Sequence, residues 1–308
     1  MLRVRFFLKL NDDMYLPEFS GSTLHGFLGR ALKKHDVQAY KYCYEQQFKS
    51  NQPHPYAIVT NQQKNLQIKV NRKTVKTCQW HKGDIFSFDI KFFAHVSSLG
   101  MRVVEAVRKF EQTDGIGQIA NSNKHCQYSV VSYCSMRGDQ MVSGIQSFSL
   151  LNHINPYLLD TKNYLISTPE IIVHLNSPLR LQQRNNQGDS CILHSAPSLD
   201  KVVYQIETRW KYLNQYWNNG TDEFWSSVNK NLPELNNIEN KSTVSFHKLE
   251  RYSANNKSLI PYGGLLGQLK YQLKDNNKAD IIPWLAVGQQ LQIGGKTTFG
   301  LGDYSLIS

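Results

Sequence analysis

The segment Leu291-Gln-Ile-Gly-Gly-Lys-Thr-Thr-Phe-Gly-Leu-Gly-Asp-Tyr304 holds four glycines, a lysine and two threonines within a few positions. Glycines permit positive φ and close backbone approach to a ligand. Successive exposed N–H groups form a nest for phosphate oxygens. Gly295-Lys296-Thr297 looks like the end of an ATP-binding loop, but that pattern needs a glycine where Gln290 stands and a helix after it. The nucleotide-loop reading fails. A phosphate cradle involving Gly294, Gly295, Lys296, Thr297 and Thr298 remains, beside the plainer reading of a tight turn before a last strand.

Ten histidines are the other reactive groups. Imidazole suits proton transfer because its pKa lies near neutrality. His25 falls in a predicted first helix, beside the apolar stripe of Leu24, Phe27, Leu28 and Ala31. His35 ends that helix after Lys33 and Lys34, where a cation also complements the helix dipole. His54 lies between two prolines and reads as a turn residue, and His194 and His247 are lesser candidates. Tyr15 and Tyr40 could orient a phosphate or stack on a base, although most of the 16 tyrosines must be packing residues. Lys33, Lys34 and Lys296 are phosphate-contact candidates.

Positive charge is in excess: 35 Lys plus Arg against 24 Asp plus Glu give +11. The stretch 64–82 holds Lys64, Lys69, Arg72, Lys73, Lys76 and Lys82 without an acidic residue, and includes Trp80 and His81. Such a run is usually a solvated face; with the net charge it suits an anionic partner, nucleic acid of any kind included. Arg180 and Arg184 flank a predicted polar hairpin. Cys78-x-x-His81, and His125-Cys126 with Cys134, are conceivable zinc ligands, but there is no Cys-x-x-Cys pair and incidental thiols are the reading adopted. No metal or cofactor is expected. Helix-turn-helix, finger and basic-zipper patterns are missing.

These residues need elements to hold them. The 308 residues are 40% hydrophobic and 19% charged, ordinary for a globular chain. No apolar run is long enough to span a bilayer. Residues 1–10 alternate basic and apolar, as a half-buried strand does and a signal peptide does not. Five irregularly spaced cysteines argue for a reducing compartment, hence the cytoplasm. Strands are predicted at 2–10, 55–59, 66–70, 85–93 and 128–133. Helices follow Ser20-Gly-Ser22 and Ser97, each read as a cap. The order then repeats: a strand over 171–181 running into a hairpin at 185–189, a helix after Ser198, paired strands at 242–252 and 258–271, a helix over 280–287 with Pro283 in its first turn, and a last strand at 303–307. Two βαββαβ units imply an α+β chain of two tandem ferredoxin-like (RRM-like) domains, 1–150 and 151–308, with the boundary between Ser143 and Ser167.

Gly294-Gly-Lys-Thr-Thr-Phe-Gly-Leu-Gly302 resembles the signature loop of the CRISPR-associated repeat-RNA endoribonucleases, the Cas-six family of the RAMP superfamily. Ser22-Thr-Leu-His-Gly-Phe-Leu-Gly29, Pro53-His-Pro-Tyr56, Gly115-Ile-Gly117, Pro178-Leu-Arg-Leu181, Pro261-Tyr-Gly-Gly-Leu-Leu-Gly267 and Trp284-Leu-Ala-Val-Gly288 follow that family's order, so the resemblance covers nearly the whole chain. Many relatives carry Arg where this chain has His25. The resemblance implies cleavage of a precursor CRISPR transcript without a metal: a ribose 2′-hydroxyl attacks the adjacent phosphate, leaving a 2′,3′-cyclic phosphate and a 5′-hydroxyl. It implies catalytic roles among His25, His35 and Tyr40, and RNA contacts from Lys33, Lys34, Arg72, Lys73, Lys76, Arg180, Arg184 and residues 294–298. The implied partners are CRISPR repeat RNA and other effector subunits, with no membrane. The alternative is a non-catalytic RAMP subunit that holds the repeat-derived end of the guide.

Overall fold

The computed structural model describes residues 1–45, 52–60, 68–70, 76–94, 96–119, 122, 124–150, 152–154, 170–184, 187–217, 235, 238–253, 258–273 and 278–307. Arg72 and Lys73 lie outside the described residues. The chain divides into two compact units: Met1–Phe148 together with Thr298–Gly300, and the remainder from Ser149 onward.

In the first unit the alternation at the N-terminus becomes strand β1 (Leu2–Leu10). Leu2, Val4, Phe6, Leu8 and Leu10 are all buried on one face. The helix α1 (Gly21–His35) sets Leu24, Phe27, Leu28, Ala31 and Leu32 in the core. Phe6 stacks on Phe88 at 5.2 Å, and Phe27 meets Phe88, Phe110 and Tyr128 edge-on at 6.2, 5.7 and 5.6 Å. Each such ring contributes roughly 1.5–3 kcal/mol by leaving water. On the other face of β1, Arg3 and Arg5 hold the fully buried Asp89 at 2.6 and 2.7 Å.

β2 (Met14–Pro17) lies between β1 and α1, and α2 (Val37–Tyr40) and a π-turn, Lys41–Glu45, lie between α1 and the next core strand. Then come β3 (Tyr56–Thr60), β4 (Ile68–Val70), β5 (Lys76–Trp80), β6 (Ile85–Phe92), α3 (Val96–Phe110), β7 (Gln118–Ile119), β8 (Tyr128–Arg137) and β9 (Gln140–Val142). The main sheet has the order β3-β6-β1-β8-β9, and its β1, β3, β6 and β8 pairings are antiparallel. With α1 after β1 and α3 after β6, this is the ferredoxin-like arrangement. A second sheet, β4-β5-β2-β7, is added to it.

Two predicted caps work differently. Ser20 stands at the N-cap of α1, but its hydroxyl makes no capping bond. Its backbone is already helical (φ −77°, ψ −1°), which turns the side chain away from the capping geometry. The helix expected after Ser97 begins at Val96, so Ser97 lies inside it.

The second unit repeats the plan. Its strands are β10 (Glu170–Leu179), β11 (Gln182–Arg184), β12 (Ser190–Ile192), β13 (Glu239–Asn240), β14 (Thr243–His247), β15 (Glu250–Ser253), β16 (Ser258–Pro261), β17 (Gly264–Gln272) and β18 (Tyr304–Ile307). Its helices are α4 (Leu199–Trp217) and α5 (Lys278–Leu291). Central β10 pairs with β17 and β18, and β13 and β14 pair with β17, all antiparallel. The paired strands expected at 242–252 and 258–271 therefore split, with β14 on β17 and β15 on β16. Helix α5 starts two residues earlier than predicted, so Pro283 sits inside it rather than in its first turn. Burial of Ile281, Trp284, Leu285, Val287 and Leu291 compensates for the lost N–H. Gly288 lets α4 and β18 approach, since a Cβ there would lie 2.6 Å from Ile206 and 2.3 Å from the Tyr304 hydroxyl. Among the described residues, no helix is long and apolar enough to cross a membrane.

Candidate active site

In the first unit, α1 carries His25 half-buried on its flank. Its Nδ1 lies 2.9 Å from the hydroxyl of Tyr56, which β3 holds fully buried. The Tyr44 hydroxyl donates to the His25 carbonyl at 2.7 Å. Gly29, one turn further along α1, leaves room for that ring; a Cβ there would stand 3.1 Å from it. The imidazole also packs on Tyr44 at 4.8 Å and on Phe299 at 4.4 Å, Phe299 being counted with this unit. His54 approaches edge-on at 6.4 Å, and its Nδ1 lies 3.2 Å from the Cys43 carbonyl. His54 is thus tied into a turn, as its flanking prolines suggested.

Burial pushes the phenols of Tyr44 and Tyr56 well above their ordinary range. Both remain protonated and serve as fixed hydrogen-bonding groups rather than bases. A histidine oriented through one ring nitrogen has its other nitrogen directed by the protein, the arrangement that general acid–base chemistry needs.

The turn after α1 brings in further groups. Asp36 breaks the helix and accepts from the Ala39 amide at 3.0 Å, while Arg102 grips its carboxylate at 2.6 Å. That pairing holds the Asp36 carboxyl below its usual range, with the Arg102 hydrogen bond the main cause. The chain then doubles back so that Tyr40 stacks on Tyr44 at 5.1 Å and 11°. The Lys33 amine stands 5.7 Å from the Tyr40 ring centre. His25, Tyr40 and Lys33 are therefore drawn together through Tyr44. His35 is not. Ten residues of helix separate it from His25 by about 15 Å along the axis and put it on another face. Its Nε2 lies 3.4 Å from the Thr113 hydroxyl and its ring meets Phe110 at 6.1 Å. Lys34 is exposed beside it.

The glycine-rich segment of the second unit is fixed by strand backbone. The Gly295 amide donates to the Arg180 carbonyl at 2.8 Å, and the Gly302 amide to the Pro178 carbonyl at 3.0 Å. Those two N–H groups are thus spent on the fold rather than presented as a nest. Gly294 (φ +81°) passes so near Arg180 that a Cβ would meet its carbonyl oxygen at 2.5 Å. Thr297 and Thr298 are buried, and the Thr297 hydroxyl accepts from Arg209 at 3.1 Å. Burial lowers the Arg209 pKa to about 10. Lys296 is different: it is exposed, and its backbone is left-handed at φ +66°. A side chain there carries about 1–3 kcal/mol of strain. Desolvation lowers its ammonium pKa, and the charges of Arg251 and Arg180 add to that. The Arg180 guanidinium donates to the Gly263 carbonyl at 2.9 Å. The loop thus gathers three cations, an arrangement an anion would relieve.

Arg184 is exposed on the β11–β12 hairpin. The backbone of Lys76 lies in β5. Cys78 and Cys126 are buried thiols, and His125 Nδ1 is paired with Asp114 at 2.8 Å. Among the described residues, no group of His, Cys, Asp and Glu is arranged to hold a metal. Sequence reasoning gave no role to Tyr44, Tyr56 or Phe299. Tyr56 and Phe299 lay within motifs already noted, but nothing in the chain order brings them to His25.

The model of the CRISPR-associated endoribonuclease Cas6 matches residues 173–304. The C-terminal part of the chain, residues 173–304, is thus similar to the Cas6 family. A family model for an N-terminal domain matches residues 1–153. Among solved structures, a Cas6 product complex is similar at TM-score 0.58 and 11% identity, over 99% of this chain and 98% of that one. Thermus thermophilus Cas6 gives 0.51 and 12%, over 99% and 98%. A partial Cas6-RT-Cas1–Cas2 complex gives 0.58 and 14%, over 99% of this chain and 45% of that one. At these identities the likeness is one of fold, and it extends the ferredoxin-like pair across the whole chain. No curated protein sequence matches.

His35 supplies a test of the electrostatics around α1. Burial first, then Lys34 and Lys109, lower its pKa from 6.5. The folded chain therefore binds this proton less tightly than the unfolded chain. Stability is lost as pH falls through 6.5, and the loss is absent above it. An NMR titration should place the His35 midpoint below 6.5, and Lys109→Ala should raise it. An unchanged midpoint in that variant would contradict the assignment.

Proposed function

We propose that this chain binds CRISPR repeat RNA and cuts the precursor transcript by metal-independent 2′-hydroxyl attack, with His25 as the proton-transfer group. The observation that carries this reading is the 2.9 Å contact between His25 Nδ1 and the buried Tyr56 hydroxyl, in a chain whose residues 173–304 match the Cas6 model. In the proposed reading the ring meets substrate at Nε2. In the proposed step His25 takes the 2′-hydroxyl proton, and the 2′-oxygen bonds to phosphorus. The bond to the 5′-oxygen breaks, that oxygen takes a proton from water, and the imidazolium returns its proton to solvent. The products are a 2′,3′-cyclic phosphate and a 5′-hydroxyl. Tyr40 offers a stacking face or a phosphate partner, and Lys33 a cation for the crowded phosphate. His35, about 15 Å along the helix, serves RNA binding rather than the same transition state.

In this reading the N-terminal domain, residues 1–150, cuts, and the C-terminal domain, 151–308, holds RNA through Lys296, Arg180 and Arg184. Arg72, Lys73 and Lys76 are further proposed RNA contacts. Other Cas proteins are partners by analogy with the Cas6-RT-Cas1–Cas2 complex.

Labelled repeat RNA incubated with the protein in EDTA should be cut. In His25→Ala the rate should fall about 10²–10⁴-fold with binding retained. Uncut RNA would instead favour the non-catalytic subunit, and full activity in His25→Ala would remove this histidine from the chemistry.

Lys296 separates stability from function. Replacing it with Gly removes the left-handed strain and one cation together. Lys296→Gly should melt no lower than the native chain, yet bind RNA more weakly, with a log–log salt slope shallower by about one. Equal affinity would return the loop to a purely structural role.

A further inference from the structure

The second unit has a pocket of about 320 Å³ between the β11–β12 hairpin and α4. That is the lower end of the range for small-ligand sites, about 300 Å³ upward. Its floor is apolar: Leu181 and Leu193 are buried, and the Leu193 amide is bonded to the Leu181 carbonyl at 2.9 Å. Above the floor stand the amides of Gln183 and Gln205 and the ring of Tyr204. Lys201 donates to the Gln183 side-chain oxygen at 3.3 Å, which aims that amide's NH₂ group. Tyr204 is 61% exposed, although it is a large aromatic residue. Arg184 and Lys201 supply positive charge, and no carboxylate is among the described lining residues.

The combination is selective. A simple anion has no use for an apolar floor. A purely apolar ligand would strand the amides, and a neutral sugar leaves the two cations without purpose. A planar base with donor and acceptor edges, joined to a phosphate, uses every group. Amides match base edges because each offers both donors and an acceptor. An aromatic face stacks on any base.

We propose that this pocket takes one unpaired nucleotide of an RNA strand, its base between the leucine floor and Tyr204 and its phosphate toward Arg184 and Lys201. The assignment rests on the RNA-binding reading above but not on cleavage. It gives α4 and the hairpin a joint role in gripping RNA, separate from the histidine on α1.

The test measures binding of fluorescein-labelled oligo-U and oligo-A in EDTA. Tyr204→Ala should weaken binding about five- to a hundred-fold, the range for loss of one base–aromatic stack. Tyr204→Phe should bind within about twofold of the native chain, because the ring face is kept. A strand carrying 4-thiouridine should crosslink to Tyr204 or its neighbours on α4. Native affinity in Tyr204→Ala, or crosslinks confined to other surfaces, would overturn the pocket. Competition by adenosine monophosphate at micromolar concentration would overturn RNA as the source, in favour of a free nucleotide. A chain that shows the Tyr204 effect but does not cut RNA defeats only the cleavage reading. A chain that cuts without the effect defeats only the pocket.

Discussion

The contact on which the candidate site depends is the hydrogen bond between the buried Tyr56 hydroxyl and His25 Nδ1. A histidine on the flank of a surface helix ordinarily samples several rotamers and either tautomer. Here one ring nitrogen is engaged from below by a residue whose own position is set by β3, deep in the sheet. Tyr44 adds a second restraint by binding the backbone carbonyl of the same residue. The aromatic surroundings exclude water from one side of the ring. Everything that fixes β3 against β6 and α1 against the sheet, the Phe6–Phe88–Phe27 core above all, therefore also fixes the imidazole.

Charge is organised by the same economy. The surplus of eleven positive charges is not one patch. Some of it is structural: Arg3 and Arg5 neutralise a buried aspartate, and Arg102 clasps the turn after α1. Some of it lies at helix C-termini, where Lys33, Lys34 and Lys109 meet the negative end of a dipole. Around Lys296 burial first, and then the charges of Arg251 and Arg180, make its own charge harder to hold. A left-handed, exposed lysine beside like charges is not what folding alone favours, and the RNA contact proposed for Lys296 would offset its cost.

Much of this was legible in the sequence. Period-two alternation gave β1 and β6; in β6 the polar face, Ser87, Asp89 and Lys91, is buried too, and Asp89 is neutralised there by Arg3 and Arg5. Period-3.6 stripes gave α1, α3 and α4. Helix α5 starts earlier than the sequence predicts because, from Ile281 on, almost all of it is buried, Gln289 and Gln290 included, so no amphipathic stripe marks its start and Pro283 resembles one. His25 was found from its place beside a stripe. Tyr56 and Phe299 were not found as its neighbours, since a contact across 31 residues of chain, or across most of its length, leaves no periodic trace. The loop's role was half-read. Its glycines are needed for close passage by Arg180 and for left-handed turns, and its two threonines face inward, which composition cannot distinguish from a nest.

The central claim is that this chain turns a ribose hydroxyl against its neighbouring phosphate. The direct measurement uses repeat RNA with a single 2′-deoxyribose at the cut position, compared with the all-ribose strand. The account predicts that the substituted strand binds with unchanged affinity and stays whole, while the all-ribose strand is cut to a 2′,3′-cyclic phosphate. Cleavage of the deoxy-substituted strand at that position would contradict it.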